Sequence, residues 1–139
     1  MGIRSFQIRV KTTSKTDIID ITPYVIKEIE GVVPENGSLT LFIPGSTAAL
    51  TTIEYESGAV NDLKKAIDRM APEDLDYEHN ERWGDGNGYS HVRAALIGPS
   101  LHIPIINGAL TLGTWQQIVL LDFDNRPRER RIILQVAGE

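Results

Sequence analysis

The chain reads as one α+β domain in which an antiparallel sheet is packed with two to three helices. Three observations predict this. Strand-like runs recur along the sequence, one long segment carries apolar residues at helical spacing, and no repeat, low-complexity tract or linker divides the 139 residues. A single domain spanning 1–139 can bury about two thirds of the surface that its unfolded chain exposes.

The elements follow in order. Residues 3–12 alternate Ile3, Phe6, Ile8 and Val10 with polar neighbours, which predicts a half-buried strand. Thr22 reads as a helix N-cap with Pro23 in the first turn, and Val25, Ile26, Ile29 and Val32 share one face until Gly31 and Pro34 stop the helix. Glu35 to Ser38 is a turn signal, and Leu39 to Ile43 is a strand broken by Pro44 and Gly45. The second half of Ser46 to Glu56 reads as another strand. Residues 58–71 place Val60, Leu63, Ile67 and Met70 at helical spacing. Pro72 to Gly88 shows no period and reads as a long polar loop, a kind that is commonly functional. Ser90 then caps a short helix from His91 to Ile97, closed by Gly98 and Pro99. Runs at 101–106, 116–124 and 130–136, separated by turn residues, suggest an antiparallel meander.

Composition narrows the function. Hydrophobic residues make up 41% and charged residues 24%, the balance of a globular domain, and the longest apolar runs are too short to span a bilayer. The N-terminus lacks the apolar core of a signal peptide, so the expected compartment is the cytoplasm. A net charge of −5 argues against a general nucleic-acid binder. With no cysteine, a metal must be held by His, Asp or Glu.

The stretch RWGDGNGYSH, Arg82 to His91, concentrates glycines and polar groups ahead of a helix. It lacks the Lys-Ser/Thr of a phosphate-binding P-loop, and Leu96 stands where a calcium loop beginning at Asp85 needs glutamate. A helix start leaves backbone amides free, so Gly86, Gly88 and Ser90 form a candidate phosphate cradle. His79 and His91, with Glu78, Glu81 and Asp85 close in sequence, could hold a divalent ion with open positions. The same residues also fit an ordinary turn and cap. His102, alone in an apolar run, is assigned to packing, and Trp115 to the core or to a subunit interface. The cluster Arg126 to Arg131 reads as a solvated hairpin tip, with Arg128 and Arg130 available to hold a phosphate.

Three motifs in order, LFIPGSTAALTTIE (Leu41 to Glu54), GDGNGYSHVRAALIGPSLHIPI (Gly84 to Ile105) and GALTLGTWQQIVLLDFD (Gly108 to Asp124), resemble the YjbQ family of small conserved proteins. The resemblance implies an α+β fold, a homotrimer and a histidine-held divalent metal, zinc or magnesium. It also implies a secondary thiamine-phosphate synthase activity, which joins a pyrimidine diphosphate to a thiazole phosphate and releases pyrophosphate. The alternative is a non-catalytic trimer that binds a metal or a phosphorylated ligand. His79 and His91 fall where members carry histidines, and Glu54, Asp85, Asn87 and Gln116 within the signatures are the candidate catalytic residues, beside Ser90, Thr114 and Trp115. Many members place a histidine after the proline of the first motif, whereas this chain has Gly45, so that role is absent or moved to Ser46, Thr47 or a carboxylate.

Overall fold

A computed structural model describes residues 2–14 and 16–139. The chain forms β1 (Gly2–Lys11), β2 (Asp17–Asp20), α1 (Thr22–Ile29), β3 (Asn36–Phe42), β4 (Ala48–Glu54) and α2 (Ser57–Met70). It continues through α3 (Glu78–Trp83), α4 (Gly88–Ile97), β5 (Ser100–Ile106), β6 (Ala109–Leu110), β7 (Gln116–Asp122) and β8 (Glu129–Gly138). The antiparallel α+β class is the one observed. Its strands divide between a five-stranded sheet ordered β1-β8-β3-β5-β6 and a three-stranded sheet ordered β2-β7-β4. Strand order corrects the expected meander, because only β5 and β6 are neighbours in both sequence and space.

The two sheets pack face to face. Ile8, Leu39, Leu41, Ile103, Ile105, Ile132 and Leu134 from the larger sheet meet Leu50, Ile118 and Leu120 from the smaller one, and Val25 and Ile29 of α1 join the same core. The other face of the smaller sheet is covered by helices, where Val119 and Leu121 pack with Ile67 of α2 and Ala94 of α4. β7 is therefore apolar on both faces. That explains why Ile118 to Leu121 is an unbroken apolar run rather than an alternating one.

Local chemistry sets the element ends. The Glu56 carboxylate accepts the amides of Gly58 and Ala59 at 2.7 and 2.9 Å, capping α2. Thr22 does not cap α1 as its sequence position suggests. Its hydroxyl accepts the Ile118 amide at 2.7 Å, tying the helix to β7, while Asp20 accepts the Thr22 amide at 3.0 Å. Ile26 is 53% exposed rather than on the buried face, because the helix turns that position outward.

The segment from Pro72 to Gly88 is not a bare loop, since it holds α3. α4 begins before the expected cap, which places Ser90 inside the helix, fully buried, with its hydroxyl donating to the Phe123 carbonyl. His102 does not pack in the core. Ile103 and Ile105 take the inward positions of β5, so His102 faces outward, 3.1 Å from the Thr40 hydroxyl. Trp115 is 72% exposed in the turn before β7 and belongs to no core. No helix among the described residues is long and apolar enough to cross a membrane.

Candidate functional site

Asp122, the last residue of β7, and Asp124, two residues beyond it, organise one end of the smaller sheet. Asp122 and Asp124 are 0% and 1% exposed, a position that carboxylates tolerate only when fully paired. Arg130 of β8 supplies the first pairing, donating from Nε and Nη2 to Asp122 at 2.7 and 3.0 Å. Thr12 donates to the same carboxylate at 2.8 Å. Arg128 approaches Asp124 at 2.7 and 2.8 Å. Asp124 also accepts from Thr47, from Asn87 Nδ2 and from the Asn125 amide. Burial pushes the Asp124 carboxyl up, but these hydrogen bonds and the Arg128 charge outweigh it and hold the group below the usual carboxylate range.

The expectation that the arginine cluster is a solvated tip is corrected at Arg130, which is 8% exposed and also donates to Thr47 at 2.7 Å. β8 turns alternate residues inward, which carries Arg130 to the interior while Arg131 faces out. Gly45 makes room for it. Its φ of +126° is one that side chains rarely adopt, and a Cβ there would lie 3.3 Å from Arg130 Nη1.

Above this network lies an open pocket of about 390 Å³, lined by Gly45, Ser46, His79, Trp83, Asp85, Asn87, His91, Arg128 and Arg130 among others. The His79 and His91 ring centroids are 4.2 Å apart, tilted by 48°. His79 Nε2 lies 3.4 Å from Asp85 Oδ1 and is buried without a hydrogen bond. Asn87 Oδ1 is the second such buried atom in the pocket. Burial lowers the pKa of His91, and the neighbouring His79 pushes it the same way, against the pull of Asp85 and Asp124. Its neutral ring, the form that ligates metals, is therefore favoured. Leaving the imidazoles aside, the pocket lining carries one carboxylate, Asp85, and two guanidiniums, Arg128 and Arg130, which are paired with Asp124 and Asp122 beneath them.

The structure thus gathers His79, His91, Asp85, Asn87, Arg128 and Arg130. It does not bring Glu54 or Gln116 to them. Those two residues pair across β4 and β7 at the end opposite Ala48 and Asp122, about 20 Å away at the rise of a strand. Gln116 instead holds its own turn, accepting the Gly113 amide at 3.0 Å and donating to Thr52 at 2.9 Å. It borders a larger groove of about 1010 Å³ beside α1, where apolar residues dominate and no imidazole lies.

The expected amide cradle is also corrected. The Gly88 amide is taken by Asn80 Oδ1 at 2.8 Å and that of Ser90 by the Asn87 carbonyl at 2.9 Å. Gly88 is needed for close packing, because a Cβ there would come within 2.5 Å of Tyr77. Gly86, at φ +69°, shapes the turn that presents Asp85, whose carbonyl accepts from Asn125 at 2.9 Å. Among the described residues no three His, Cys, Asp or Glu side chains converge as a metal group. Sequence reasoning missed Asp122, Asp124 and Thr12, and named Thr47 only as a stand-in for the histidine that Gly45 replaces. The available signal was a pair of acids, two residues apart, closing an apolar strand.

Residues 6–139 match the family described as UPF0047 protein YjbQ-like. The chain is 37% identical over its full length to a UPF0047 protein of Methanothermobacter thermautotrophicus, covering 95% of that relative. It is 34% identical to UPF0047 protein YugU of Bacillus subtilis, covering 94% of this chain and 97% of that one. Among solved structures, hypothetical protein APE1520 of Aeropyrum pernix K1 superposes with a TM-score of 0.88 at 33% identity, over 100% of both chains. A YbjQ-like protein from Sulfolobus solfataricus P2 also gives 0.88 at 28% identity, over 99% of this chain and 100% of that one.

Proposed function

The chain belongs to the YjbQ-like UPF0047 family, and on that premise we propose that its pocket holds a divalent metal through His79 and His91 and binds a small phosphorylated molecule beside it. One observation carries this reading. Two imidazoles lie side by side, one with a buried nitrogen that makes no hydrogen bond, in a pocket that also presents the Asp85 carboxylate. A cation satisfies that nitrogen and pairs with the carboxylate, and zinc and magnesium are the ions to test.

The reaction that suits this arrangement joins a pyrimidine diphosphate to a thiazole phosphate with release of pyrophosphate. Such chemistry calls for charge stabilisation at the leaving group more than for a protein nucleophile. When bound, a divalent ion supplies that stabilisation. The protein's own part is to position and shield. Arg128, at 34% side-chain exposure, reaches the pocket while anchored on Asp124, so it can donate to a phosphate without leaving its partner. Trp83, 73% exposed, offers a flat face at the rim for a heterocycle. Protein supplied with both precursors and magnesium or zinc should form thiamine phosphate above a no-protein control. No product with any divalent metal sinks the catalytic reading.

Binding without turnover is the second reading. The hydroxyls of Ser90 and Thr47 are already engaged inside the fold and neither is a free nucleophile, which leaves covalent catalysis without a candidate among them. Thermal-shift screening separates the two, because stabilisation by phosphorylated ligands without conversion supports binding alone. Assembly as a homotrimer belongs to the same proposal. The outer face of the five-stranded sheet leaves Ile3, Phe42 and Ile106 at 67%, 44% and 54% exposure, surface that association would cover.

A further inference from the structure

Resting on the two-histidine reading above, we infer that Asn87 Oδ1 is a third protein ligand of the same divalent ion. The orientation of the amide is fixed. Asn87 Nδ2 donates to Asp124 Oδ1 at 3.2 Å, and that carboxylate also receives Arg128, Thr47 and the Asn125 amide, so it acts only as an acceptor. Flipping the amide would set oxygen against oxygen. Oδ1 is therefore the atom turned away from Asp124, and it is buried with no described donor.

His79 Nε2 is also buried without a hydrogen bond, with Asp85 Oδ1 3.4 Å away, and both residues line one pocket. A buried oxygen and a buried nitrogen that make no hydrogen bond are standing costs to the fold unless something fills them. Their burial indicates what does. Neither atom offers appreciable surface to water, and a hydrogen-bonding ligand atom needs a separation of about 2.9 Å. A cation ligates at about 2.0–2.2 Å and fits a more contracted site. Asparagine carbonyl oxygens are known ligands of divalent cations, calcium above all. Asn87 also extends a donor set that His, Asp and Glu do not complete among the described residues.

The test is cobalt(II) titration of the full chain followed by visible absorption, with cadmium-113 NMR as a direct reporter of the ligand set. Asn87→Ala should weaken cobalt binding by about tenfold or more. Asn87→Asp should bind at least as tightly as the native chain, and both variants should shift the cadmium signal. Asn87→Asp removes the donor to Asp124 just as Asn87→Ala does, yet it keeps an oxygen. A merely structural Asn87 would therefore leave the Asp variant as weak as the Ala variant, or weaker. That result, or unchanged affinity and an unchanged cadmium signal in both variants, overturns the assignment. If Asn87→Ala does not fold, the cadmium shift of Asn87→Asp against the native chain decides. Native protein that binds no cobalt removes the His79 and His91 reading and this one with it. Binding lost in His79→Ala but intact in Asn87→Ala removes this one alone.

Discussion

Replacing Arg130 by alanine tests whether the buried charge network holds this end of the fold together. The substitution strips Asp122, which is 0% exposed, of two charge-assisted hydrogen bonds at 2.7 and 3.0 Å and leaves it Thr12 and the Asp124 amide. Thr47 loses its donor as well. Breaking one side of a buried ion pair costs about 3–5 kcal/mol, because the remaining charge stays desolvated. In a domain of this size each kcal/mol moves the melting temperature by about 3–5 °C, so Arg130→Ala should melt about 10–20 °C lower. Urea denaturation followed by circular dichroism gives the free energy directly. Arg130→Met combined with Asp122→Leu should recover much of the loss, since the unpaired charge is then gone. A cost below about 1 kcal/mol for Arg130→Ala would refute the argument and return the arginine to the solvent-exposed role that its sequence context suggests.

His91 titrates below its ordinary value, so its neutral form favours the fold above about pH 6.5, and that contribution is lost as pH falls through the lowered value. His91→Gln should accordingly flatten the pH dependence of stability between about pH 5 and 7, and an NMR titration midpoint at or above about 6.5 would contradict this. Asp124 is likewise depressed, so its contribution is present above about pH 4 and disappears on further acidification, which Asp124→Asn should blunt in acid-unfolding curves. Thr22→Val leaves the buried Ile118 amide without its 2.7 Å acceptor and should cost about 1–3 kcal/mol by urea titration. Gly88→Ala forces a Cβ to 2.5 Å from Tyr77 and should cost about 1–3 kcal/mol, and equal stability would show that α3 moves aside freely.

Much of the fold is legible where periodicity is strong. The spacing of Val60, Leu63, Ile67 and Met70 marks α2 to within a residue, and the runs at 101–106 and 116–124 match β5 and β7 to within two residues at each end. β2 has only four residues and no room for a period, so it goes unseen. α3 escapes for another reason. EHNERW has no buried residue, and its helix is fixed by Gly84 at its end and by Asn80 bridging to Gly88 rather than by an apolar face. In the candidate site, His79, His91, Asp85 and Asn87 stand out because the glycine-rich stretch draws attention to them. Asp122 does not, and Arg130 stands out only as a phosphate-binding candidate, because the ion pair that buries them joins β7 to β8 across the sandwich and no local pattern announces it. Glu54 and Gln116 share signatures with the site residues, yet strand direction carries them to the opposite end of the sheet.

The central claim is that His79 and His91 together hold a divalent metal, and metal content per chain after dialysis tests it most directly. Elemental analysis should find about one zinc or other divalent ion per native chain and well under half of that in His79→Ala and in His91→Ala, with retention falling as pH drops through the histidine range. Equal metal content in the native protein and both variants would contradict the claim and leave the pocket as a turn packed over a buried charge network.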